Sequence, residues 1–169
     1  MRTTTLFPSK LAALAAAMLV MGAFALLVGP FSGQAVAGGG GPHAFAVGGF
    51  LAADGSQVAF AAQFNPQNDS YAGHVVQTDM SGVSRHGPVT CLTTDGVSSA
   101  VVVWTVTKSD NPADVGTPRA FEVMDGGEPP TGMDMYKDRG TDTFGCSFDV
   151  MGTYVPVVRG NIVVKQTGP

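Results

Sequence analysis

The chain has 169 residues, a formal charge of −4 at pH 7 and 23 glycines. That length supports one domain with its own hydrophobic core. The acidic balance, with no basic cluster against it, argues against a nucleic-acid or anionic-membrane partner, because both carry negative charge.

The first stretch reads as an export signal. Arg2 and Lys10 are the only charged side chains before Asp54, residues 11–28 are almost wholly apolar, and Gly29-Pro30 breaks the run. Ala35-Val36-Ala37 then supplies the small residues a signal peptidase reads. The pattern predicts a signal peptide over 1–37, cleaved after Ala37, and a secreted product without integral membrane association. A retained anchor is the alternative, since the apolar run approaches the roughly 20 residues a spanning helix needs. Pro30 and the A-x-A exit oppose it, and the lack of a nearby cysteine opposes a lipoprotein. Cleavage would leave 132 residues with seven basic against thirteen acidic side chains, a formal charge of −6. Residues 38–43 read as a flexible glycine-rich tether, and 44–169 as the folded domain.

Beyond the tether the apolar period is 2. In residues 57–64, Val58, Phe60, Ala62 and Phe64 fall on one face and Ala59, Ala61 and Gln63 on the other, which predicts a half-buried strand. Asn65-Pro66-Gln67-Asn68-Asp69 ends it with turn-forming residues. Further strands are expected over 44–51, 71–78, 83–92, 97–107 and 119–125, in the alternation of Phe144, Cys146, Phe148 and Val150, and at Ile162-Val163-Val164. Gly87-Pro88 suggests a bulge or an edge position in its strand, and Asp95-Gly96 is a strong hairpin signal. Scattered glycine disfavours helices. The expected fold is therefore all-β: one small antiparallel domain of about eight strands. An up-and-down barrel is preferred over a sandwich, because closure removes exposed strand edges. Residues 108–118 and 126–143 read as two long connections, where binding residues usually sit.

Cys91 and Cys146 are the only cysteines. An even count in an exported chain points first to a disulfide, with two separately buried thiols as the alternative.

Several short motifs occur together in order: Gly73-His74-Val75, Gly87-Pro88-Val89-Thr90-Cys91-Leu92, Val106-Thr107-Lys108 and Asp125-Gly126-Gly127-Glu128-Pro129. Over roughly residues 49–148 the chain resembles a group of small uncharacterised secreted β proteins of actinomycetes and related bacteria. In that group a G-x-V-T-C-L strand precedes a valine-rich strand ending V-V-T, and a D-N-G-E-P-like turn follows. Gly126 stands where the group has Asn, and Trp104 interrupts the valine strand. The resemblance implies a secreted β fold and supplies no activity or site residue.

Candidate chemistry is sparse. His74 and His86 lie on successive expected strands and, with Asp79, could approach a Zn²⁺ ligand set, but the spacing fits no standard motif. His43 falls in the tether. Asp125, Glu128, Asp134, Asp138 and Asp142 make an acidic connection whose spacing is not that of a calcium loop. Two such carboxylates could serve a hydrolase, whereas Ser81 and Ser84 near His86 lack a nucleophile elbow. Trp104, Tyr71 and Tyr136 could stack on a ligand, although the valines around Trp104 favour a core position. Asn68-Asp69-Ser70 fits a glycosylation sequon, which carries little meaning in a bacterial chain. The expectation is a non-enzymatic extracellular binding or surface domain that uses no cofactor and no metal. Its partner would be a small ligand or a cell-surface component, with Trp104, Tyr136, His74, Asp125 and Glu128 as candidate contacts. An exported hydrolase using loop carboxylates is the alternative.

Overall fold

Alternation of branched or aromatic residues with small and polar ones produces nine strands in the computed structural model, which describes residues 43–127, 132–141, 145–149 and 151–166. They are β1 (Ala44–Ala52), β2 (Gln57–Asn65), β3 (Ser70–Thr78), β4 (Ser84–Thr94), β5 (Ser99–Thr105), β6 (Lys108–Ser109), β7 (Pro118–Met124), β8 (Met135–Thr141) and β9 (Val155–Gln166). Among the described residues the only helical turn is a 3₁₀ turn at Pro112–Asp114, capped by the Asn111 side chain.

All pairings are antiparallel, and apart from the two-residue β6 each strand neighbours the next in the chain. The circuit closes where β9 pairs with β1, from Ala44–Gln166 to Ala52–Val157. The result is the expected closed, eight-stranded, up-and-down barrel. Closure satisfies the main-chain groups that an open sheet would leave at its two edges.

Inward side chains fill the barrel. Phe50, Phe60, Val75, Val102, Trp104, Phe121, Tyr136 and Ile162 are all buried. Phe60 meets Phe121 edge-on at 5.1 Å between ring centroids, and Phe50 lies 5.2 Å from Tyr136. Gly48 sits opposite Phe60, and a Cβ there would come within 2.7 Å of the Phe60 ring. The glycine therefore makes room for the aromatic layer. A packed apolar interior of this kind differs from the polar lumen of membrane-spanning barrels.

Local turn chemistry matches the sequence. Asp95 accepts backbone N–H bonds from Val97, Ser98 and Ser99 at 2.8–2.9 Å, and Gly96 takes a left-handed φ of 79°. The β4 bulge falls between Val89 and Cys91, immediately after Gly87-Pro88.

The eighth strand corrects the sequence expectation. Cys146 and Phe148 lie in turn and irregular backbone rather than in a strand, and Phe144 and Val150 fall outside the described residues. The strand in that position of the barrel is instead β8, inside what read as a long connection over 126–143. Its sequence, Met-Tyr-Lys-Asp-Arg-Gly-Thr, hides the pattern because its outward charges are buried. Lys137 is only 3% exposed beside Glu122, beneath a segment that crosses the outer wall. The expected signal peptide (1–37), all of the tether except His43, Glu128 and Asp142 also lie outside the described residues.

Candidate functional site

Three regions hold the residues that the sequence singles out. The first is the barrel interior. Trp104 and Tyr136 are fully buried there, so neither can stack on a ligand at the surface. The Gln77 amide donates to the Tyr136 hydroxyl at 2.8 Å and to Asp138 at 3.1 Å. Asp138 in turn pairs with Arg119 at 3.4 Å. Burial, reinforced by the Asp138 charge and opposed by the Gln77 bond, pushes the Tyr136 phenol well above its usual range. It remains a neutral packing residue. At the same end of the barrel Arg85 bonds both Asp79 and Asp114, tying the β3–β4 turn to the 3₁₀ turn. Burial works against the Asp79 carboxylate, but bonds from the Ser81 hydroxyl, Arg85 and the backbone of Val83 and Ser81 outweigh it. They hold its pKa well below the carboxylate norm.

The second region is the outer wall. Residues 145–149 and 151–154 form a strap over β5, β7 and β8. The disulfide between Cys91 and Cys146 fixes one end of it against the outward Val101, Val103 and Ala120. Further along, Glu122 pairs with Lys137 at 2.9 Å, the two side chains being 1% and 3% exposed. Glu122 also accepts the Asp149 backbone N–H at 2.8 Å and the Tyr154 hydroxyl at 2.6 Å. Lys137 donates to the carbonyls of Asp149 and Met151 and lies 5.1 Å from the centre of the Tyr154 ring. Arg139 donates to the carbonyls of Ser147 and Gly145. Apart from the Glu122–Lys137 pair, which lies within the wall, each of these contacts fastens the strap to the wall.

The loop acids of the sequence have similar duties. Asp134 accepts the Ile162 N–H at 2.7 Å and the Gly126 N–H at 3.0 Å. Asp125 accepts the Val164 N–H at 3.1 Å and the Gly127 N–H at 2.9 Å. The β8–β9 ladder contains only two residue pairs, and these carboxylates stand in for the missing acceptors along β9. His74 and His86 do approach on the outer face of the β3–β4 hairpin, with ring centroids 6.4 Å apart. Asp79, the third residue of that set, is instead engaged by Arg85. Among the described residues no group of three or more His, Cys, Asp or Glu side chains is placed to hold a metal ion.

The third region is the mouth at the opposite end of the barrel from Arg85. β3 and β4 pair only from Thr78–Ser84 to His74–Pro88, although β3 extends back to Ser70 and β4 on to Thr94. Where they part, Ala44, Phe64, Pro66, Tyr71, Leu92 and Thr94 line a cleft of 280 Å³. Phe64 and Tyr71 face each other across the β2–β3 hairpin and stack at 5.1 Å with an interplanar angle of 28°. The Thr94 hydroxyl bonds Gln166 at 2.7 Å along one rim. Sequence reasoning missed the partly exposed Phe64 and the buried Leu92 as cleft-lining groups, because both fall on the inward face of their strands. The available signal was the pair of aromatics flanking the 65–70 turn, which a hairpin must bring together.

Comparison of the chain with protein-family models, with curated proteins and with solved structures finds no match in any of the three. The fold defines the molecule as a closed eight-stranded antiparallel barrel with a strapped outer wall. Its function has to be argued from the arrangement itself.

Proposed function

We propose that the chain is an exported, non-enzymatic binding module that engages its ligand at the mouth cleft beside Phe64, Tyr71 and Leu92. The observation that carries this reading is a partly apolar cleft, left open by the described residues, on a barrel whose interior is filled. Among the described residues, the carboxylates that a hydrolase would need are already engaged, which supports binding over hydrolysis. Asp125 and Asp134 hold backbone N–H groups, Asp138 holds Gln77 and Arg119, and Glu122 holds Lys137. Export rests on the leader in residues 1–37 and on the disulfide, which persists in oxidising compartments. The resemblance to small secreted β proteins agrees with it.

An NMR titration of the protein, as processed by a bacterial host, tests the reading. The panel would hold extended peptides, neutral oligosaccharides and small apolar molecules. Shifts are expected to cluster at Phe64, Tyr71, Leu92 and Thr94 and to vanish in Tyr71→Ala. Hydrolysis of a panel member, or shifts confined to the strap, would overturn it. Mass spectrometry of the same product should find Gly38 at its N-terminus; an intact Met1 would remove the export step.

A further inference from the structure

The cleft is bordered by two strand edges as well as by side chains. Asp95 N–H donates to the Ser99 carbonyl, which continues the β4–β5 ladder and makes Thr93–Val101 and Cys91–Val103 its bonded pairs. Bonded and non-bonded pairs alternate in an antiparallel ladder. The peptide groups of Leu92 and Thr94 therefore point away from β5, toward β3. On the other lip, Asp79 N–H donates to the Val83 carbonyl, which turns the peptide groups of odd-numbered β3 residues toward β4. The β2–β3 register continues without a shift to Ser70, so the alternation extends to Tyr71. Among the described residues no strand pairs with either lip over 70–73 or 90–94 on the side facing the cleft.

We propose that this cleft takes an extended peptide by strand addition, with an apolar side chain of the peptide seated between Tyr71 and Leu92. The inference rests on the mouth being the binding surface and names the ligand class for it. An incoming strand offers N–H and C=O groups at the spacing that the lips present, and alternate side chains enter the cleft. None of the cleft-lining side chains is charged, which suits an uncharged apolar segment. A sugar is less well matched, because one face of the Tyr71 ring is already covered by Phe64.

The test is a phage-displayed library of random heptapeptides, panned against the protein as processed by a bacterial host, with Tyr71→Ala as the counter-target. Enriched peptides should carry alternating apolar residues and should lose at least tenfold in affinity for Tyr71→Ala. They should lose a similar factor when alternate peptide amides are N-methylated, which removes main-chain donors and leaves the side chains. Binding at Tyr71 that survives N-methylation would overturn strand addition and leave the mouth as the site. Shifts at Tyr71 on titration with a neutral hexasaccharide, without peptide enrichment, would overturn the ligand class alone. If neither probe perturbs Phe64, Tyr71 or Leu92, the mouth itself fails. Amide shifts at Leu92 and Tyr71 on removing residues 38–42 or 167–169 would show the lips already occupied and overturn the proposal.

Discussion

Two apolar areas on this barrel are treated in opposite ways. On the outer wall Val101, Val103 and Ala120 are covered by the chain's own strap, which is fastened by a disulfide and by hydrogen bonds to the buried Glu122 and from the buried Lys137. At the mouth, Phe64 and Tyr71 stack on each other and remain half-exposed beside the parted strands β3 and β4. Covering the wall requires a buried Glu122–Lys137 pair, whose desolvation costs several kcal/mol per ion before any attraction is gained. Among the described residues the chain covers one apolar surface by such means and leaves the other open.

Removing the charge lock should have the largest effect on this contrast. Glu122→Gln keeps the shape and the acceptor for Asp149 but leaves Lys137 buried without its counter-ion. The expected loss is about 3–5 kcal/mol in urea unfolding. A loss below about 1 kcal/mol would mean that the Glu122 charge does not hold the strap. Replacing both Cys91 and Cys146 with serine comes next. The bridge spans 55 residues of sequence, and its removal should cost about 2–4 kcal/mol. The NMR signals of Phe64 and Tyr71 should stay in place, because the bridge joins β4 to the strap rather than to β2 or β3. Movement of the Tyr71 signals would couple the two areas and break the contrast.

Alkali should loosen the strap more mildly. Burial, then the bond to Glu122 and its negative charge, raise the Tyr154 pKa well above the ordinary 10.0. Below pH 10 the phenol is neutral whether the strap is down or released, and its contribution is fully present. As pH rises further, the released state loses its proton first, so the contribution is lost. Hydrogen exchange at residues 145–154 should accelerate above pH 10 in the parent relative to Tyr154→Phe. Identical pH profiles would show that the Tyr154–Glu122 bond does not hold the strap. Tyr136 titrates in the same direction, and the comparison with Tyr154→Phe separates the two.

The legibility of these areas in the sequence follows from their physics. Strands β1 and β2 announce themselves because one face is apolar core, so that Val58, Phe60 and Ala62 alternate with Ala59, Ala61 and Gln63. β8 is invisible on that criterion: Lys137 and Arg139 look solvated, and only a segment from elsewhere in the chain makes their burial tolerable. The same segment misled in the other direction, since the spacing of Phe144, Cys146 and Phe148 mimics a strand although Cys146 is placed by its bridge. Disulfide pairing was legible because there were only two cysteines to pair. The mouth was not, because nothing in an alternating pattern marks where two neighbouring strands part.

The smallest stability effect is expected at the mouth, and it decides whether the contrast has functional meaning. Tyr71→Ala removes one ring of a half-exposed stack, an interaction worth about 0.5–1.5 kcal/mol beyond the area it covers. Phe121→Ala, in the fully buried interior, should cost about 3–5 kcal/mol. A difference of that size would mean that the Tyr71 ring contributes little to folding and is available to a partner. If Tyr71→Ala were instead as damaging as Phe121→Ala, the stacked pair would be an extension of the core. The parted strands would then be a packing detail, and the mouth would have no better claim to a ligand than the wall beneath the strap.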